Sequence, residues 1–174
     1  PTYAREIQTP EFGYALDGAL RARSGAITGI LNGVDYEEWD PRCDRFLPQH
    51  FNAGQIGIKA DLKQDFMQRL GLATQARSRL PLIGMVSRMA SQKGFDLLFD
   101  ALPQLLAERE FCLAVLGSGD ARYEEFFSQL AHAHPTRVAF RRGYSEEHAH
   151  WIEAASDIFL MPSLYEPCGL NQMY

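Results

Sequence analysis

The sequence predicts an α/β protein built on a doubly wound parallel sheet. From Leu80 onward, short apolar runs of strand length alternate with segments of helical period, and each run is followed by a loop carrying glycine or charge. Strands separated by helices imply parallel pairing through right-handed crossovers. Composition agrees, with 46% hydrophobic and 22% charged residues in a chain of 174, values of a folded globular protein. That length accommodates one good-sized domain or parts of two.

Residues 1 to about 40 are dense in glycine and aromatics, with Ile27–Leu31 as a short strand candidate. Asn32-Gly33 after it is a turn signal. From Pro41 to about Gly57, prolines and mixed polarity without a clear period read as a connection. Lys59 to Leu70 places Leu62, Phe66, Met67 and Leu70 at helical spacing, and Gly71 is its expected C-cap. Beyond Leu80 the expected strands are Leu82–Val86, Phe111–Leu116, Val138–Phe140 and Asp157–Met161. The expected helices are Phe95 to about Ala107, broken or kinked at Pro103, then Ala121–Ala133 and Glu146–Ala155. Ser145 ahead of Glu146 and Glu147 is a capping start for the last of these. A domain boundary falls between about 40 and 80.

A formal charge of -5 argues against a general nucleic-acid binder, whose footprint is basic. The apolar runs have strand length, so no membrane span is expected, and no signal-like start precedes Pro1. Cys43, Cys112 and Cys168 are odd in number and far apart, which suits a reduced, cytoplasmic setting.

The chemistry gathers in the loops after the strands. The stretch Ser163-Leu164-Tyr165-Glu166-Pro167-Cys168-Gly169-Leu170 follows a buried strand and sets a carboxylate, Glu166, at its carboxyl end. Gly169 is positioned to open a helix, and helix starts favour anions at the ligand-binding edge of such sheets. Together they suggest a phosphorylated substrate with a sugar-like part. Arg88 and Lys93 lie between the first strand and first helix of the sheet and suit one diphosphate, as planar fork and point charge. Position alone leaves them equally open to being solvated loop cations. Gly117-Ser118-Gly119-Asp120 lacks the third glycine of a dinucleotide fingerprint. Tyr144 offers a ring for stacking on a base, or a half-buried loop aromatic. His132, His134, His148 and His150 are spaced i, i+2, which separates each pair onto different helix faces. No acid or cysteine set accompanies them, so no metal is expected, and they read as solvated helix histidines. Cys168 has no histidine placed to activate it and reads as a pocket-lining residue rather than a nucleophile.

These segments resemble the bacterial glycogen synthase and plant starch synthase family. The resemblance rests on Thr2-Tyr3-Ala4-Arg5-Glu6-Ile7, Pro10-Glu11-Phe12-Gly13-Tyr14, Gly29-Ile30-Leu31-Asn32-Gly33-Val34-Asp35, Ser87-Arg88 with Gln92-Lys93-Gly94, and Glu166-Pro167-Cys168-Gly169-Leu170-Asn171-Gln172. It implies a GT-B architecture, with residues 1–40 ending an N-terminal domain, 41–79 connecting, and 80–174 beginning a Rossmann-like nucleotide-sugar-binding domain. It also implies a retaining glucosyltransferase that extends an α-1,4-glucan from ADP-glucose without a cofactor or obligatory metal.

Carried over by position, Arg88 and Lys93 hold the donor diphosphate, Glu166 contacts the donor glucose, and Cys168, Gly169 and Leu170 form a turn approaching sugar and phosphate. Tyr144 falls near the adenine, and Asn32 lines the cleft. Many related enzymes have a second glutamate eight positions after the first, where this chain has Tyr174. The family's Lys-x-Gly-Gly-Leu motif and a later Gly-Gly loop are absent from these residues. The resemblance therefore implies an internal part of a larger enzyme, inactive without the remainder. Another retaining GT-B transferase, or a catalytically silent nucleotide- or glucan-binding module, is the alternative.

Overall fold

The computed structural model describes residues 2–72 and 79–174. They form two compact units, one of residues up to 35 with 166–174, the other of 36–165.

The larger unit is organised by a parallel sheet of β1 (Leu82–Val86), β2 (Cys112–Gly117), β3 (Val138–Arg142) and β4 (Ile158–Phe159), in the order β3-β2-β1-β4. β2 is buried along its whole length because both faces are covered. Its alternate side chains divide two cores. Cys112, Ala114 and Leu116 pack with Leu62, Phe66, Trp151 and Ile152. Leu113 and Val115 pack with Leu102, Tyr123 and Phe127 on the other face. Burying one such side chain contributes about 1.5 to 3 kcal/mol, so both faces are needed to hold a central strand this apolar.

In chain order, the helices are α1 (Thr2–Glu6) and α2 (Asp17–Ala22) in the smaller unit. The larger unit carries α3 (Gly57–Arg69), α4 (Leu98–Glu108), α5 (Ala121–Ala133) and α6 (Glu146–Ala155). α4 and α5 cover one face of the sheet, α3 and α6 the other. α5 and α6 match their expected bounds because each has a working cap. The Asp120 carboxylate accepts from the Arg122 amide, and the Ser145 hydroxyl from that of His148. At the end of α3 the Gly71 amide donates to Gln68 and that of Leu72 to Met67, the paired bonds of a glycine C-cap.

Three expectations change. Phe95–Leu97 is a 3-10 turn, and α4 starts only at Leu98 and runs through Pro103 unbroken. Proline removes a single amide donor, and Leu98, Leu102 and Leu106 remain buried on either side of it. β4 is shorter than expected, pairing only at Ile158 and Phe159. Ile27–Leu31 forms no strand, and no turn closes at Asn32-Gly33. A strand needs a ladder partner. Ile30 and Leu31 are exposed here, and among the described residues no strand pairs with them.

The stretch read as a connection is well packed in the larger unit. Leu47 and Phe51 join the α3/α6 core, and the Phe51 amide donates to Pro41. Lys59 of α3 donates to the Ala154 carbonyl near the end of α6, at 2.7 Å.

Candidate functional site

In the larger unit the candidate residues lie at the carboxyl end of the sheet, where β1, β2 and β3 release three neighbouring loops. The first, Ser87 to Gly94, carries both cations. Arg88 is exposed and forms no ion pair among the described residues. Lys93 is half-buried and closes a 3-10 turn over Ser91–Lys93. Gly94 follows in the left-handed region, at φ 72, and a side chain there would meet the Pro162 carbonyl oxygen at 2.0 Å. That close approach lets the Leu164 and Tyr165 amides donate to the Gln92 carbonyl, at 3.0 and 3.3 Å. The cationic loop is thus held against the chain leaving β4.

The second loop, Gly117 to Asp120, packs on the first. The Met89 amide donates to Ser118, and the Asp120 amide to Met89. Side chains on Gly117 or Gly119 would meet the Ser87 and Met89 carbonyls at 2.1 and 2.2 Å. These glycines are accounted for by loop-on-loop packing. The Gly119 amide donates to the Glu124 carboxylate at 2.8 Å, and Glu124 also pairs with Arg142 at the end of β3. The third loop presents Tyr144, 79% exposed, two residues past β3. Arg88 and Tyr144 therefore stand at the same end of the sheet, with the Gly117–Asp120 loop following the strand between them.

Glu166, Cys168, Gly169, Leu170 and Asn32 belong to the smaller unit. Glu166 and Cys168 are half-buried, and Cys168 is a free thiol. The helix expected at Gly169 is a single 3-10 turn, Leu170–Gln172, with Gly169 preceding it. Its amides form one turn rather than a helix terminus, which narrows the argument for an anion there. Asn32 is exposed within an irregular stretch. Sequence reasoning passed over Tyr14 and Ala15, non-glycine residues at φ 48 and 66; such backbone costs on the order of 1 kcal/mol or more each.

The histidine expectation holds in part. His132 is exposed and His134 half-buried, but His150 is 1% exposed. The i, i+2 spacing does separate His148 and His150. The inward face of α6 is covered at His150 by the stretch around Trp39 and Phe46, whose rings pack on the imidazole. Among the described residues no disulfide joins the three cysteines, and no helix is long and apolar enough to cross a membrane.

A parallel α/β unit with cations and an aromatic ring on loops beyond its strands has the form of a nucleotide-binding domain. Residues 80–173 match the family model described as glycosyl transferases group 1, and the chain belongs to that family. It is 53% identical over 174 residues to a glycogen synthase of Anaeromyxobacter dehalogenans, matching 100% of this chain and 36% of the relative. A glycogen synthase of Koribacter versatilis is 51% identical over 172 residues, covering 99% and 35%. Among solved structures, the catalytic domain of Starch Synthase IV from Arabidopsis thaliana bound to ADP and acarbose matches at 38% identity and TM-score 0.90. It covers 99% of this chain and 35% of that one. Anabaena HepE, solved with UDP and glucose, shares the fold alone, at 17% identity, TM-score 0.54, and coverage of 90% and 37%. The fold is that of GT-B glycosyltransferases, and the chain spans about 36% of the length of the curated relatives it matches.

Proposed function

We propose that the whole protein elongates an α-1,4-glucan by transferring glucose, with retention, from ADP-glucose. The observation that carries this reading is similarity along the full chain, at about half identity, to glycogen synthases. The fold adds a physical reason, since Arg88 and Lys93 share one loop after a central strand. When the sugar leaves, negative charge grows on the diphosphate, and fixed cations stabilise that charge more in the transition state than in the ground state. The donor site then requires no metal and no further cofactor. Arg88 grips two phosphate oxygens as a fork, while Lys93 supplies a point charge. Tyr144 stacks on the adenine.

In the same reading, Glu166 accepts hydrogen bonds from donor-sugar hydroxyls and stabilises positive charge growing at the anomeric carbon. Cys168, Gly169 and Leu170 approach sugar and phosphate, and Asn32 lines the cleft. Residues 1–40 end an N-terminal domain, 41–79 connect, and 80–174 begin the donor-binding one. Cysteines without disulfides fit a cytoplasmic enzyme, with a nucleotide sugar as donor and a glucan as acceptor.

The decisive test is Glu166→Gln in the intact protein, which keeps the shape and removes the charge. A large fall in turnover is expected, with donor affinity and melting temperature nearly unchanged. Loss of stability with normal turnover would make Glu166 a structural residue. Absence of glucose transfer by the unmodified protein, with nucleotide still bound, would favour a silent binding module.

A further inference from the structure

We propose that Glu38, Glu146 and His150 form a divalent-metal site of zinc type that clips residues 36–51 onto α6. The site lies wholly within the larger unit and is independent of the donor-binding residues. His150 is buried, and its Nδ1 lies 2.7 Å from the Asp44 carboxylate, itself buried. A carboxylate accepts at this contact, so Nδ1 donates, and in the neutral ring Nε2 is the nitrogen that keeps a lone pair for a ligand. Nε2 is buried and has no hydrogen-bond partner. A buried acceptor without a partner is costly, and a metal ion removes that cost. A carboxylate fixing one histidine nitrogen while the other is free is the usual support of a metal-bound imidazole.

The remaining ligands are close by. Glu146 precedes His150 by one helical turn on α6, so both project from the same face. Glu38 comes from the packed stretch before α3, and the ligand atoms of the three residues lie within 4.8 Å of one another. Tetrahedral zinc with bonds of about 2.1 Å sets its ligands about 3.4 Å apart. The remaining contraction falls on two glutamate side chains that are 39–40% exposed and able to move. One imidazole and two carboxylates, with water in the fourth place, suit a borderline ion such as zinc better than calcium or magnesium.

Arg45 now supplies positive charge there, 3.2 Å from Glu146 and 3.9 Å from Glu38. It is 69% exposed and stacks over Phe46, so it can withdraw along that ring when an ion enters. Arg45 is therefore a competitor of the metal, which separates this site from a merely acidic surface.

The test uses the intact protein, stripped with a chelator and titrated with zinc chloride by calorimetry, with bound zinc counted by mass spectrometry. One zinc per chain is expected, with a rise in melting temperature. Glu38→Gln with Glu146→Gln should weaken binding at least about 100-fold, and Asp44→Asn about 10- to 100-fold, the range for losing a supporting carboxylate. Arg45→Ala should tighten it. The glutamate variants are conservative and partly exposed, so circular dichroism should show an unchanged fold. Absence of stoichiometric zinc would overturn the proposal and leave water as the partner of Nε2. Zinc binding indifferent to the two glutamates, or weakened by Arg45→Ala, would also overturn it.

Discussion

At the amino end of the sheet the charges are tied into the fold. The Asp157 carboxylate accepts from the Leu82 amide at 2.7 Å and from Lys63, which is buried on α3. Arg137, just before β3, donates to the carbonyls of Phe111, Leu106 and Arg109. At the carboxyl end of the same sheet, Arg88 and Tyr144 stand in solvent on loops whose backbones are locked together. The contrast separates two uses of charge. Where a cation is spent on neighbouring carbonyls it holds strands in place. Where the backbone alone holds the loop, side chains remain available to a ligand.

The sharpest way to break this comparison is to exchange the effects. In the intact protein, Arg88→Ala or Lys93→Ala should lower glucose transfer by the equivalent of about 2 to 4 kcal/mol, the scale of one lost donor to a developing anion. Melting temperature should not move. Near-normal kcat in both variants would put the cations outside the site.

At the opposite end, Asp157→Ala should cost about 2 to 3 kcal/mol of stability, because it strands the buried Lys63 ammonium and a backbone donor. Chemical denaturation measures this, and the kcat of the remaining folded enzyme should be unaltered. A turnover defect without destabilisation would erase the distinction between the two ends.

A smaller effect is expected of Tyr144→Ala, which should raise the donor KM by about 1 kcal/mol, the lower end for stacking on a base. Tyr144→Phe should restore it. An unchanged KM in the alanine variant would return Tyr144 to the ordinary loop aromatics.

The smallest effect sharpens the comparison through pH. Burial first, and Arg141 second, hold the His148 pKa below its ordinary 6.5. The unfolded chain therefore takes up a proton before the folded one as pH falls, so stability declines below about pH 6.5 and is unaffected above it. His148→Asn should flatten that decline in a series of melting curves. An equally steep decline in the variant would assign it to other groups.

Much of the larger unit was legible because its signals are local. Capping residues act within one turn, so Ser145 marked the start of α6 correctly, while the Asp120 cap of α5 emerged only in the structure. Apolar runs flanked by helical period located the four strands among the described residues, and the loop after the first holds Arg88 and Lys93. Less of the smaller unit was legible. Ile27–Leu31 has strand composition but no ladder, and composition cannot supply a partner.

The sequence by itself determined the alternation of strands and helices, the parallel sheet, and the motifs that identify a glucan-synthase-like glycosyltransferase. These rest on periodicity and short motifs, which need no knowledge of distant residues. Tertiary contacts alone assign the Gly117 and Gly119 positions to loop packing, place Leu47 and Phe51 in the α3/α6 core, and bury His150 against Asp44. Asp44 and His150 are 106 residues apart. Long-range contacts of that kind arise from which faces the fold brings together, and a side chain's chemistry then follows from neighbours that its own stretch of sequence does not contain.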